Sequence, residues 1–233
     1  MVDDLAAQFG VTVQTIRRDL SELADLGKLD RVHGGAVIRS GVSNIGYEDR
    51  RPLNDEAKEH IASACALDIP DGASVFMNIG TSTEAVARQL VNHKNLMVVT
   101  NNMNVANILA ENTDCEIVVA GGVLRRSDGG LVGNLTVSTI RHFKFDYAVI
   151  GCSALDADGD LLDFDFQEVQ VSQPILAQTR RTFLVADHSK FQRAAPARIT
   201  SLAEIDTFYT DRPLTDRLSK RCQAWKTDLR VCQ

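Results

Sequence analysis

Six apolar runs, "ASVFMNI", "NLMVVT", "CEIVVA", "DYAVIG", "TFLVAD" and "IDTFYT", punctuate residues 73–210, and each leads into small polar residues and a further patterned stretch. The runs are rich in β-branched and aromatic side chains and are apolar continuously, so both faces of the strands they form must be covered. Strand and helix in alternation then restrict the fold to an α/β architecture with a mostly parallel sheet. Its ligands bind beyond the carboxyl ends of the strands. The loops at those ends read "GTST", "NNMN", "GGVLRRSDGG", "CSALDADGD" and "HSKF".

The first forty residues follow a different pattern. Val2, Leu5, Ala6 and Phe9 recur at helical spacing and Gly10 supplies a left-handed stop, which predicts one short helix. Thr12 caps a second, with Ile16, Leu20, Leu23 and Ala24 facing inward and Gly27 ending it after Leu26. Its outer face carries Gln14, Thr15, Arg17 and Arg18. Two short helices about a glycine turn form a helix-turn-helix, whose second helix lies in the major groove; arginine can fork onto guanine and glutamine onto adenine. "KLDRVHGGAVI" then reads as strand, glycine turn, strand, a wing that brings Arg31 and His33 to the sugar-phosphate backbone. By itself "RRDL" is more often a solvated helix face. The expected organisation is a winged helix-turn-helix over 1–38, a Gly, Ser, Asn and Pro-bearing linker over 39–54, and a larger unit over 55–233, opened by a helix with Ile61, Ala64 and Leu67 inside.

Composition excludes more than it assigns. A net charge of -6 argues against a chain coated for unspecific nucleic-acid binding, yet leaves room for one DNA-reading helix. No stretch has the apolar length of a membrane helix, and the amino terminus lacks a signal-peptide pattern, so a cytoplasmic protein without membrane partners is expected. The five cysteines (Cys65, Cys115, Cys152, Cys222 and Cys232) are odd in number and lack any CxxC, which suits reduced thiols. His33, His60, His93, His142 and His188 have no zinc spacing, so no metal and no cofactor is expected.

One loop suits an anion. Gly80 lets backbone N–H groups approach a phosphate, and Thr81, Ser82 and Thr83 add hydroxyls at the start of the helix "EAVARQL"; the same run also serves as a plain helix cap. Lys190, after another strand, supplies a point charge. Arg125 either serves the phosphate or pairs with Asp128, and Asp146 and Asp156 read as strand-end or turn residues.

"TIRRDL" and "RVHGGAV" resemble the DNA-binding module of the DeoR family of bacterial repressors, and "GTST", "TNN", "GGVLRRSDGGLVG", "DYAVIGCSALDADG" and "VADHSKF" resemble that family's sensor domain. The resemblance implies a fold similar to ribose-phosphate isomerases, a phosphorylated sugar or polyol inducer, operator DNA as partner, and a homodimer or homotetramer. It also implies a further helix ahead of the first, without which the DNA-binding unit has a thin core. "TNNMNVAN" and "LLDFDFQEV" resemble members responding to glycerol 3-phosphate. The effector set implied is Gly80, Thr81, Ser82, Thr83, Thr100, Asn101, Asn102, Gly122, Arg125, Gly151, Asp165, Glu168 and Lys190, with Asn101, Asp165 and Glu168 facing the inducer's hydroxyls. Three positions depart from the family pattern. Asn78 stands where an aspartate is frequent and Ser172 where a lysine is common, which shifts the cationic role to Lys190 and Arg125; Gln192 replaces a frequent glycine.

A ligand-responsive repressor accounts for both units. An isomerase using Asp163, Asp165 or Glu168 as base accounts only for the larger unit. A sensor that merely binds a partner protein is the third class.

Overall fold

The structure, a computed structural model, describes residues 2–25, 29–32, 35–37, 44 and 46–233. Two compact units divide the chain, Met1–Gly41 and Val42–Gln233.

In the first unit, α1 (Val2–Phe9) and α2 (Val13–Asp25) precede an antiparallel pair, β1 (Asp30–Val32) and β2 (Gly35–Val37). Gly10 takes the left-handed conformation between the helices, and the Thr15 N–H donates to Thr12 Oγ1 at 3.2 Å, the expected cap. Val2, Ala6 and Ile16 are buried, with Leu5, Val13 and Leu20 packed against them. Phe9, expected inside, is 65% exposed, and Leu23 is also exposed. Helices this short turn only one narrow stripe toward each other, and Phe9 lies off it. Leu26, Gly27, His33 and the side chain of Arg31 lie outside the described residues.

The second unit opens with α3 (Tyr47–Arg50) and α4 (Asp55–Leu67). There follow β3 (Ser74–Met77), α5 (Thr81–Gln89), β4 (Leu96–Thr100), α6 (Met103–Leu109), β5 (Cys115–Val119), β6 (Val123–Arg125), β7 (Gly130–Val132), α7 (Asn134–Arg141) and β8 (Phe145–Ile150). The chain continues through β9 (Ala154–Leu155), β10 (Asp160–Asp163), α8 (Phe166–Ala177), β11 (Thr179–Val185), a 3-10 turn (His188–Gln192), β12 (Ala197–Ser201), β13 (Thr207–Thr210), α9 (Asp216–Trp225) and β14 (Asp228–Val231).

Seven strands form one parallel sheet in the order β14-β13-β11-β8-β3-β4-β5. Its two faces bury alternate residues of the same strands. Val75, Met77, Val149, Phe183 and Val185 join one core with Ile61 of α4 and Val86 of α5. Phe76, Ala148, Ile150 and Leu184 join the other with Ile140 of α7 and Ile175 of α8. This double burial is the physical reason the strands read as unbroken apolar runs. On α4, Ile61 is fully buried but Leu67 is 85% exposed, since Cys65 and Ala66 turn inward in its place.

The chain steps outward from β3 to β4 and β5, then returns to place β8 on the other side of β3. That reversal is the switch point at which open α/β sheets bind ligands. A smaller antiparallel sheet, β12-β10-β9, and the β6-β7 hairpin flank it.

Of the expected 39–54 linker, residues 44 and 46–54 belong to the second unit, while 39–43 and 45 lie outside the described residues. Asn44 Nδ2 donates to Ser153 Oγ at 2.9 Å, the Tyr47 hydroxyl to Glu84 Oε2 at 2.9 Å, and Asn54 Nδ2 to Asp187 Oδ1 at 2.8 Å. Buried Lys58 donates to the Arg50 and Arg51 carbonyls, tying down the end of α3. A segment held by buried polar contacts is part of the second unit, whatever its Gly and Pro content.

Candidate ligand-binding site

Three loops meet at the switch point, those after β3, β8 and β11, whose strands are neighbours. They enclose a cleft of about 370 Å³ lined by residues 80–83, Gly151 to Ser153 and Lys190, with Asn44, Tyr47 and Arg50 from the α3 segment and Arg125, Asp163, Asp165 and Glu168 opposite.

One end of the cleft is built for an anion. Gly80, at φ 139, carries the chain from β3 into α5, where the first recorded intrahelical bond is Glu84 N–H to the Gly80 carbonyl. The N–H groups of the residues between therefore point out of the helix end. The Thr81 and Ser82 hydroxyls carry no hydrogen bond among the described residues, whereas Thr83 Oγ1 lies 2.7 Å from both the Asn78 and Gly80 carbonyls. Thr83 was expected to donate to an anion; its proton is spent on the turn, and it acts as a brace.

Lys190 is 8% exposed, and its ammonium has no hydrogen-bond or ion-pair partner among the described residues. Burial, then the Arg193 charge, lower its pKa to about 8, against the pull of Asp187. Asp187 is itself held below the usual carboxylate range by Lys190 and by bonds from Ser189 and Asn54, which outweigh its burial.

The other end is acidic and internally paired. Arg125 donates from Nε and Nη2 to Asp128 at 2.9 and 2.6 Å, from Nη2 to Glu168 at 2.7 Å, and from Nη1 to Asp165. Arg125 thus does pair with Asp128, and with two further carboxylates, so it is not a cation free to meet a phosphate. Burial and the neighbouring Asp163 charge push Glu168 up to about 8. Asp165 Oδ1 caps α8 through the Gln167 N–H, and Asp163 accepts from Ser153 Oγ at 2.8 Å.

Of the expected effector residues, the cleft gathers Gly80, Thr81, Ser82, Thr83, Arg125, Gly151, Asp165, Glu168 and Lys190. Thr100, Asn101, Asn102 and Gly122 do not line it. Thr100 Oγ1 donates to the Met77 carbonyl, Asn101 Nδ2 to that of Leu131, and Asn102 caps α6. A side chain on Gly122 would meet Thr136 Oγ1 at 2.2 Å and the Val132 carbonyl at 2.7 Å, so this glycine serves close packing. Asp146 braces Ser74 and Asp156 closes a turn, as expected. All five cysteines are free, as expected, and Cys152, in the cleft wall, is pushed up to about 12 by burial.

The departures at Asn78 and Ser172 meet: Asn78 Nδ2 donates to Ser172 Oγ at 3.1 Å, both residues 1% exposed. The two neutral side chains satisfy one another, and no buried charge is left unpaired at these positions. Asn44, Tyr47, Arg50 and Ser153 are among the lining residues that sequence reasoning missed. An aromatic and two arginines in "YEDRRP" are the signal, unusual in a flexible tether.

On the first unit, Arg17 and Arg18 are exposed on α2, beside exposed Gln14 and half-buried Thr15. Thr15 Oγ1 lies 2.9 Å from Thr12 Oγ1, within the cap. Among the described residues Arg18 has a 3.5 Å surface pair to Asp19, a weak contact that its fork can leave.

A profile of the DeoR-like helix-turn-helix domain matches residues 1–41, and one of the DeoR C terminal sensor domain matches residues 53–212. Over 211 residues the chain is 46% identical to the glycerol-3-phosphate regulon repressor of Escherichia coli, covering 91% of this chain and 84% of that one. With the glycerol-3-phosphate regulon repressor of Haemophilus influenzae it shares 44% identity over 230 residues, 99% of this chain and 89% of that one. Among solved structures, ribose 5-phosphate isomerase A of Methanocaldococcus jannaschii aligns with a TM-score of 0.44 at 12% identity, over 59% of this chain and 55% of that one.

Proposed function

This chain belongs to the DeoR family of helix-turn-helix transcription regulators, and from that premise we propose that it is a cytoplasmic repressor whose cleft takes sn-glycerol 3-phosphate as inducer. The observation that carries the reading is Lys190, a buried lysine whose ammonium has no hydrogen bond or ion pair among the described residues, facing the same cleft as the open end of α5. A buried cation is costly unless an anion meets it. A phosphate there takes the Lys190 ammonium, the Thr81 and Ser82 hydroxyls and the N–H groups of the turn. The polyol hydroxyls extend toward Asp163 and Glu168. The names of the relatives support glycerol 3-phosphate over other phosphate esters. An isomerase is set aside because this is a regulator family and Asp163, Asp165 and Glu168 are engaged with Ser153 and Arg125.

The test is calorimetry with glycerol 3-phosphate and glycerol. A helix end contributes about 0.3–1 kcal/mol to a bound anion and each charged hydrogen bond about 1.5–3, so glycerol is expected to bind at least tens of times more weakly. Equal affinities would refute the phosphate site; tighter binding of another phosphate ester would keep the site and replace the ligand.

Operator DNA is read by α2. Arg17→Ala is expected to cost about 1–3 kcal/mol on the operator if the side chain forks onto guanine. A phosphate contact instead weakens all duplexes alike and lowers the salt slope by about one unit. Unchanged binding for both Arg17→Ala and Arg18→Ala at two salt concentrations would remove α2 as the reading helix. Paired half-sites call for a symmetric assembly, a homodimer or homotetramer.

A further inference from the structure

The cationic end of the cleft extends beyond Lys190. Arg50, the last residue of α3, lines the same cleft, and its Nε is buried without a hydrogen-bond partner. Among the described residues its ion pair is long, Nη2 to Asp128 Oδ2 at 3.8 Å, and that oxygen already accepts from Arg125 at 2.6 Å. Behind Lys190, Arg193 has Nε and Nη1 buried and unpartnered. The charges of Arg50 and Arg193 both bear on Lys190, and Asp187 is the carboxylate that offsets them there. Three cations against Asp187 and, at 3.8 Å from Arg50, Asp128 leave this end positive, which favours the dianionic form of a phosphate monoester.

We infer that Arg50 is a ligand of the inducer's phosphate. With Lys190 it selects a dianion over a monoanion, while Arg193 holds the local potential positive from behind. This rests on the cleft being the inducer site. Arg50 can turn because its existing contact is loose, yet its backbone is fixed, with Lys58 Nζ bonded to the Arg50 carbonyl at 2.6 Å and the Arg50 N–H to the Gly46 carbonyl at 3.0 Å. A guanidinium suits the task, since its planar fork gives two parallel bonds to phosphate oxygens. The consequence is regulatory. α3 follows the DNA-binding unit directly in the chain, so an inducer held by Arg50 grips the segment that leads to that unit.

The experiment compares glycerol 3-phosphate with glycerol 3-sulfate, a monoanion of nearly the same shape, by calorimetry on the full chain and on Arg50→Gln and Arg50→Lys. The unaltered protein is expected to prefer the phosphate by tens of fold. Arg50→Gln is expected to lose at least tenfold in phosphate affinity with little change for the sulfate, so the preference shrinks; Arg50→Lys recovers part of it. Hydrogen exchange at saturating phosphate ester is expected to slow the Arg50 and Arg51 amides in the unaltered chain and not in Arg50→Gln. A preference that survives intact in a folded Arg50→Gln, or equal protection in both proteins, overturns the role of Arg50 while leaving the cleft as the inducer site. Failure of the unaltered chain to bind glycerol 3-phosphate or inorganic phosphate overturns both.

Discussion

Arg125→Met is expected to remove about 3–5 kcal/mol from the stability of the second unit, because it leaves Asp128, Asp165 and Glu168 facing one another with only the long Arg50 contact to Asp128 as a cationic partner. Asp128 and Glu168 have side chains only 5% and 13% exposed, so water cannot take over the role of the guanidinium. The pH dependence distinguishes this from simple loss of packing. Glu168 already titrates near 8 rather than 4.5. A carboxyl whose folded pKa is raised contributes stability that is complete below the unfolded value and is lost as pH rises through the folded one. Without Arg125, which holds it down, the Glu168 carboxyl shifts further upward. Both proteins lose its contribution alike below about pH 8, so the deficit of the variant grows as pH rises through 8 and beyond. Urea unfolding at pH 6.5, 8 and 9 measures it; a deficit below about 1 kcal/mol, or one independent of pH, would show that the cluster is open to water.

Much of this architecture was legible because it rests on local rules. The runs "SVFM" and "FDYAVI" had to be strands buried on both faces, and "GTST" had to open a helix, since glycine at φ 139 and three small polar residues are the chemistry of that turn. What escaped is what tertiary context decides. Thr100, Asn101 and Asn102 carry the same chemistry as a binding loop, and only the fold reveals that they brace β3, the β6-β7 hairpin and α6. Thr83 and Ser82 both line the cleft, but the Thr83 hydroxyl is spent on the Asn78 and Gly80 carbonyls. The segment around Tyr47 and Arg50 reads as linker by its Gly, Ser and Pro content, while its order comes from Glu84, Asp187 and Lys58, residues distant or separate in sequence. The exposure of Leu67 shows the limit of periodicity itself: a helix on a sheet buries one stripe, and the next apolar residue along is left in water.

Lys190→Met is expected to weaken glycerol 3-phosphate binding by about 1.5–3 kcal/mol, roughly ten- to more than a hundredfold, while leaving operator affinity without inducer nearly unchanged. Methionine retains much of the apolar stem and deletes the charge, so lost packing does not explain the result. The affinity of the unaltered chain should also depend on pH in a way that follows from named groups. On the acid side the phosphate monoester loses its second charge near pH 6, which removes the match to the cationic end. On the alkaline side Lys190 titrates at about 8, because burial and Arg193 oppose its charge more than Asp187 supports it. Glu168 ionises over the same interval, adding a negative charge to the cleft. Both alkaline changes weaken anion binding, so affinity is expected to peak between about pH 6 and 8 and to fall beyond. The two contributions separate by substitution: Glu168→Gln keeps the lysine limb, and Lys190→Met loses it. Binding at pH 8 should take up protons in the unaltered chain, since the dianion raises the lysine's pKa as it docks, and buffers of different ionisation enthalpy measure that uptake directly. Cys152 does not confuse the reading, as its thiol titrates far higher, at about 12. Unchanged inducer affinity in Lys190→Met, together with a flat profile from pH 7 to 9, would remove the lysine from the site and with it the reading of the cleft as a phosphate sensor.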